Sequence, residues 1–160
     1  MAPQSAEPRP ADLRPAEPSR TQLAAEAWES LFRAQVALLR RFGDDDVWDP
    51  ISMREYDVLF TLSRNPPMRL RDLNESVLLS QPSLSRLVER LEAAGLVTRS
   101  PSASDGRGTV VSLTPAGVEM QRRVGRQHAA SIRRHLAPAL DDDELATLRT
   151  LCDKLRGATG

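Results

Sequence analysis

A single cysteine, Cys152, in 160 residues rules out an intrachain disulfide as a staple for the fold. Lysine is almost as scarce. Lys154 is the only one, so the cations are arginines, which suit bidentate contacts and which genome composition can equally impose. Neither charge sign is in excess, with 22 basic and 22 acidic residues. A uniformly cationic surface is therefore excluded, and any anionic partner must be met by local placement of charge. Long apolar runs are missing as well: no stretch has the length of a membrane span, and the N-terminus lacks a signal-peptide core. These absences argue against a membrane partner and point to the cytoplasm. There is no glycine-rich phosphate loop, no nucleophile-base-acid set and no metal-ligand cluster, which argues against an enzyme.

What is present is concentrated between Leu78 and Gly117. Leu84, Leu87, Val88 and Leu91 recur at three- and four-residue spacings, which predicts a helix with one buried stripe. Ser80 is placed to cap it by accepting a backbone N–H, Pro82 is tolerated in its first turn, and Gly95 supplies a left-handed stop. Away from the stripe stand Gln81, Ser83, Ser85, Arg86, Glu89 and Arg90, several of which can donate to base edges and phosphates. Beyond Gly95 the period changes to two. Leu96 to Arg99 and Thr109 to Leu113 read as the strands of a hairpin, with a turn-rich tip between them that carries Asp105 and Arg107. A helix followed by such a hairpin is the layout of a winged helix, whose helix enters the major groove while the tip reaches a minor groove or flanking phosphates.

Ser80 to Gly95, then Asp105-Gly106-Arg107, then Leu113-Thr114-Pro115-Ala116-Gly117 resemble the helix, D-x-R wing and L-T-x-x-G exit of the MarR family of bacterial transcription regulators. The resemblance is strongest over about forty residues and extends more loosely from about residue 20 to the end. It implies a homodimer with a winged helix-turn-helix in each subunit, usually repressing genes and often released by a small ligand or an oxidant. It also implies that the helix from about Thr21 to Phe42 joins the C-terminal helices to make the dimer interface.

Along the chain, residues 1–19 hold five prolines without periodicity and read as a disordered tail, with an arm touching DNA or a partner as the alternative. Thr21 to about Phe42 is helical, with Trp28 among its apolar positions, and is too long for a lone winged domain to cover. Asp44-Asp45-Asp46 invites a metal, but successive positions diverge and no histidine is near, so a solvated loop is expected. Ser52 to Glu55 has capping-box spacing and opens a helix that Asn65-Pro66-Pro67 ends; a brief helix over Arg71 to Val77 follows. Thr114 and Pro115 open a long helix that Pro138 breaks, and Asp141 caps a last one bearing Cys152 on its apolar stripe. The expected fold is mostly α with a small β-hairpin wing. Residues 49–114 form the winged helix-turn-helix, and residues 20–48 and 115–160 form a helical dimerisation region.

The expected DNA-contacting residues are Ser80, Gln81, Ser83, Ser85, Arg86, Arg90, Arg99, Asp105 and Arg107. Arg86 and Arg90, one turn apart, offer two guanidinium forks; their bland alternative is a surface ion-pair network with Glu89 and Glu92. Asp105 is the natural orienter of Arg107 in the tip, and Arg99 at the wing base is more a positioning residue than a base reader. Trp28, Tyr56, Asp57 and Arg99 are the expected lining of an effector pocket, where an aromatic wall with an acid and an arginine suits a small organic anion. Asp57 and Arg99 also resemble positions of the family's urate-responsive branch, whose tryptophan sits on an additional N-terminal helix without a match here. Cys152 and His128 read as interface or core residues rather than a redox sensor and a metal ligand. No cofactor is expected; the partners are double-stranded DNA, a second copy and an effector. The alternative is a winged helix used as a protein-interaction module without sequence-specific DNA binding.

Overall fold

The helical spacing of residues 20 to 43 becomes α1 (Arg20–Gly43) in the computed structural model, which describes residues 18–65, 67–102 and 108–157. Two compact units divide within this helix, between Ala37 and Leu38. In the first, no residue of α1 is buried, and Trp28 stacks on Phe32 with ring centroids 6.2 Å apart while remaining 64% exposed. About five turns of helix are thus presented with an uncovered aromatic pair, more than helix propensity alone sustains.

The second unit holds the core. Ser52 accepts the Glu55 N–H while the Glu55 carboxylate accepts the Ser52 N–H at 2.8 Å, a reciprocal cap that starts α2 (Met53–Arg64). Next come strand β1 (Met68–Arg69), helix α3 (Leu70–Ser76) and helix α4 (Gln81–Ala93). Val58, Leu59 and Leu62 of α2, Leu73 of α3, and Leu84, Leu87, Val88 and Leu91 of α4 meet in one apolar cluster. The stripe expected on α4 is its buried face. At the end of α4, Gly95 adopts φ +71°, its N–H reaching Glu92 O and the Leu96 N–H reaching Leu91 O, so the orphan carbonyls are satisfied by a paired C-terminal motif.

Strands β2 (Val97–Pro101) and β3 (Thr109–Leu113) form the expected hairpin, paired from Val97↔Leu113 to Pro101↔Thr109. The sheet has a third member that local pattern did not show. β1 pairs antiparallel with β3 through Met68↔Val111 and Arg69↔Val110, giving the order β1-β3-β2. Two residues carry no period, so only tertiary pairing reveals such a strand.

Thr114 then caps α5 (Pro115–Leu136) by accepting the Gly117 N–H at 3.0 Å and donates its own hydroxyl to Gly95 O at 2.7 Å. The first turn of α5 is thereby tied to the stop of α4. Helix α6 (Asp142–Gly157) begins with a second reciprocal cap, Asp141 with Glu144, both bonds at 2.9 Å. No residue of α6 is buried, and Leu148, Leu151 and Leu155 are exposed along it. Among the described residues no helix is long and apolar enough to cross a membrane.

Candidate nucleic-acid interface

Helix α4 turns its apolar stripe inward and leaves Gln81, Arg86, Glu89 and Arg90 exposed, with Ser83 and Ser85 half-buried beside them. Ser80 occupies the position before the helix, and its carbonyl accepts the Leu84 N–H at 2.9 Å, but its side chain caps no backbone N–H; the hydroxyl donates to the Ser83 hydroxyl at 2.8 Å instead. The capping role expected of Ser80 is thus replaced by a hydroxyl pair. The first-turn N–H groups of α4 have no side-chain cap from it.

The arginines divide sharply. Arg90 Nε reaches the Glu55 carboxylate at 3.3 Å, so the glutamate that caps α2 also tethers the far end of α4. Arg99, exposed at the base of the wing, donates Nε and a terminal nitrogen to Glu92 at 2.7 and 2.6 Å and lies 3.7 Å from Glu89. Glu92 also accepts the Arg99 backbone N–H at 3.0 Å. These bonds hold the Glu92 carboxyl below its ordinary pKa and raise that of Arg99. The carboxylates weighed against Arg86 and Arg90 are therefore engaged with Arg99 instead, and they brace the wing against α4. Arg86 has no ion-pair partner among the described residues and is exposed. It is the guanidinium on this face that can take a ligand without breaking an internal bond.

The hairpin ladder continues past Pro101, where the Ser102 N–H meets Gly108 O at 2.7 Å. Asp105 and Arg107, expected at the tip, lie outside the described residues.

A second cluster joins the end of α1 to α5. His128 is enclosed by Phe42, Trp48 and Tyr56, with ring centroids 5.2, 4.8 and 5.6 Å away, and its Nδ1 is buried without a hydrogen-bond partner. Trp48 Nε1 donates to Phe42 O at 2.5 Å. The acidic loop expected to be solvated contributes Asp45 to this region. Its carboxylate accepts the buried Ser131 hydroxyl, meets His135 Nε2 at 3.0 Å and pairs with Arg134 at 2.7 Å. The Ser131 bond foremost, with His135 and Arg134, holds the Asp45 carboxyl below its usual pKa. Burial pushes the Tyr56 phenol up despite a bond from Gln121. Asp57 lies at the surface but is crowded enough that desolvation raises its carboxyl. Of the expected effector lining, Tyr56 thus belongs to the aromatic cluster, Arg99 to the carboxylates of α4, and Trp28 to the first unit. Trp48 went unremarked in the sequence because a lone aromatic in a loop has no periodicity to mark it as core.

Burial in this cluster lowers the His128 pKa from its ordinary 6.5, opposed by Asp45. The unfolded chain then binds more protons than the folded one just below pH 6.5, so stability is full above that pH and falls as pH drops through the window beneath it. Asp45, Glu55 and Glu92, all lowered, add losses at more acidic pH, whereas Asp57, raised, works in the opposite sense. Urea midpoints are expected to decline between pH 7.5 and 5.5 for the native chain and to stay level for His128→Phe. Parallel declines would remove His128 as the cause.

Residues 51–109, from the end of the loop before α2 to the start of β3, match the family model described as MarR family. The crystal structure of AbsC, a MarR family transcriptional regulator from Streptomyces coelicolor, superposes with a TM-score of 0.65 at 31% identity, covering 87% of this chain and 97% of that one. The chain belongs to the MarR family. Within the curated proteins this MarR chain is 30% identical over 108 residues to the HTH-type transcriptional regulator PecS of Dickeya dadantii, an alignment spanning 66% of this chain and 64% of PecS. PcaV of Streptomyces coelicolor, solved in complex with its natural ligand, matches at 27% identity with a TM-score of 0.62, covering 88% of this chain and 94% of PcaV. The MarR-model span takes in all of α2, α3 and α4 and the whole of β2, the elements that position Arg86 and Arg99.

Proposed function

We propose that this chain is a DNA-binding transcription regulator that works as a homodimer on a pseudo-palindromic operator, as a repressor released by a small organic anion. The observation that carries the DNA reading is the contrast on α4 and its wing: Arg90 and Arg99 are spent on internal carboxylates while Arg86 stands exposed without one. A protein-interaction module has no need to keep one guanidinium free beside Gln81 and a pair of hydroxyls. Gln81, Ser83, Ser85 and Arg86 then meet base edges. The wing residues Asp105 and Arg107 secure the phosphates, while Ser80, Arg90 and Arg99 hold α4 and the wing in register.

The dimer is supported by α1 and α6, neither of which buries a residue although both carry large apolar side chains. A second copy offers the same faces in return, as two-fold symmetry requires. The effector reading is supported by PcaV, solved with its natural ligand, and by the planar walls around Tyr56. Trp28, Tyr56 and Asp57 remain the residues to probe for it, with Arg99 available only if it releases Glu92.

Fluorescence anisotropy with the full chain tests the central reading. On duplexes enriched from random sequence, two chains are expected per duplex, with half-sites about 34–36 Å apart. Log affinity is expected to fall with log salt at a slope of roughly −0.9 for each phosphate contacted. Equal affinity for enriched and scrambled duplexes, or no binding to either, would return the chain to the protein-interaction alternative.

A further inference from the structure

Leu78 is 89% exposed in the turn between α3 and α4. The other large apolar side chains left exposed among the described residues lie on α1, α2, α5 and α6, so this one stands apart from them on a loop. Its presentation is built. Val77 on one side is buried and Leu79 on the other packs against the core. The Leu79 N–H returns to Val77 O at 3.0 Å, closing a tight turn with Leu78 at its apex. Asn74 Nδ2 holds Leu79 O at 3.0 Å, and this clamp is kept although Asn74 Oδ1 is buried without a partner. Both neighbours are anchored, and the leucine between them is aimed at solvent.

We propose that Leu78 reads the operator, packing on a thymine 5-methyl group at the edge of the major groove next to the bases met by the first turn of α4. The inference rests on the DNA-binding reading and adds a residue and a base to it. Two features favour this occupant over a protein. A single leucine among Ser76, Ser80, Gln81 and Ser83 makes no contiguous apolar patch of the kind that protein docking uses. Thymine, alone among the four bases, presents a methyl group beside a hydrogen-bond acceptor in the major groove. An apolar side chain next to hydroxyl and amide donors matches that edge, whereas guanine and adenine offer no methyl and cytosine offers a donor.

The test uses an operator selected from random duplexes by the full chain, with deoxyuridine replacing thymidine one position at a time so that only a methyl group is lost. The native protein is expected to lose roughly fourfold in affinity at one position in each half-site. Leu78→Ala is expected to bind the parent operator about tenfold more weakly and to show no further loss at that position, with an unchanged unfolding midpoint because the side chain has little to pack against in the free protein. Three results would overturn the inference. In one, Leu78→Ala binds as tightly as the native chain. In the second, it binds weakly while every deoxyuridine duplex is bound as well as the parent. In the third, the native chain binds no duplex, and the DNA-binding reading falls as well. Arg86-dependent binding together with either of the first two outcomes rejects Leu78 alone and leaves that reading intact.

Discussion

Replacing Arg86 with alanine is expected to erase most of the preference for operator over scrambled duplex while leaving the fold untouched. The side chain is exposed, and it has no ion pair among the described residues to lose. A bidentate contact to a base is worth roughly 1–3 kcal/mol of discrimination, so each half-site should lose about 5- to 150-fold in selectivity. Two comparison variants separate reading from holding. Arg90→Ala gives up the tether to Glu55 and should weaken binding to both duplexes alike. Arg107→Ala, in the wing, should also lower affinity on both duplexes and shallow the salt slope by about one contact. Equal losses on operator and scrambled DNA for Arg86→Ala would reject its role as a base reader.

Gly117→Ala is expected to be the most damaging small substitution in the second unit. A Cβ there would stand 1.9 Å from Leu96 O, 3.0 Å from Leu96 C and 3.3 Å from Leu113 Cδ2. The first two are backbone atoms, so no side-chain rotation relieves the overlap. The backbone itself is pinned: Leu96 O accepts the Thr114 N–H at 3.1 Å, and the neighbouring Gly95 O accepts the Thr114 hydroxyl. Alanine regains up to about 1 kcal/mol of helix propensity over glycine. Overpacking costs about 1–3 kcal/mol and more where neither side can yield, so the clash wins. A net loss of about 2 kcal/mol, at roughly 2–4 °C for each kcal/mol in a chain of this size, should lower the thermal midpoint by about 4–8 °C. Gly157→Ala, at a glycine whose added Cβ meets nothing within 4 Å, serves as the control and should leave the midpoint where it is. A Gly117→Ala protein as stable as the control would show that Leu96 can retreat. The same contact accounts for the last glycine of the L-T-x-x-G exit: it is the point where α5 meets Leu96, in the link between α4 and β2, at backbone distance.

Much of the second unit was legible in the sequence because its signals are local. The spacing of Leu84, Leu87, Val88 and Leu91 sets one face of a helix whatever lies opposite. Ser52 with Glu55 closes a cap within three residues, and Gly95 permits the positive φ that other residues resist. The hairpin followed from a change of period around a turn-rich tip. The reading went astray where the deciding partner is remote. Asp45 looked like one of three solvated carboxylates, yet Ser131, Arg134 and His135 converge on it from the far end of α5. Ser80 looked like a cap and instead bonds a neighbouring hydroxyl, while β1 is too short to carry any period of its own.

The sequence by itself determined which stretches become helices, where each begins and stops, and which face of α4 is apolar, because those choices are made by bonds and spacings within a turn or two of chain. Only the tertiary structure decided which arginines remain free. Charged side chains pair with whatever carboxylate the fold brings within reach, so Glu55 went to Arg90 from 35 residues away and Glu92 to Arg99 across the start of the wing. Arg86 was left exposed on the face proposed to meet DNA.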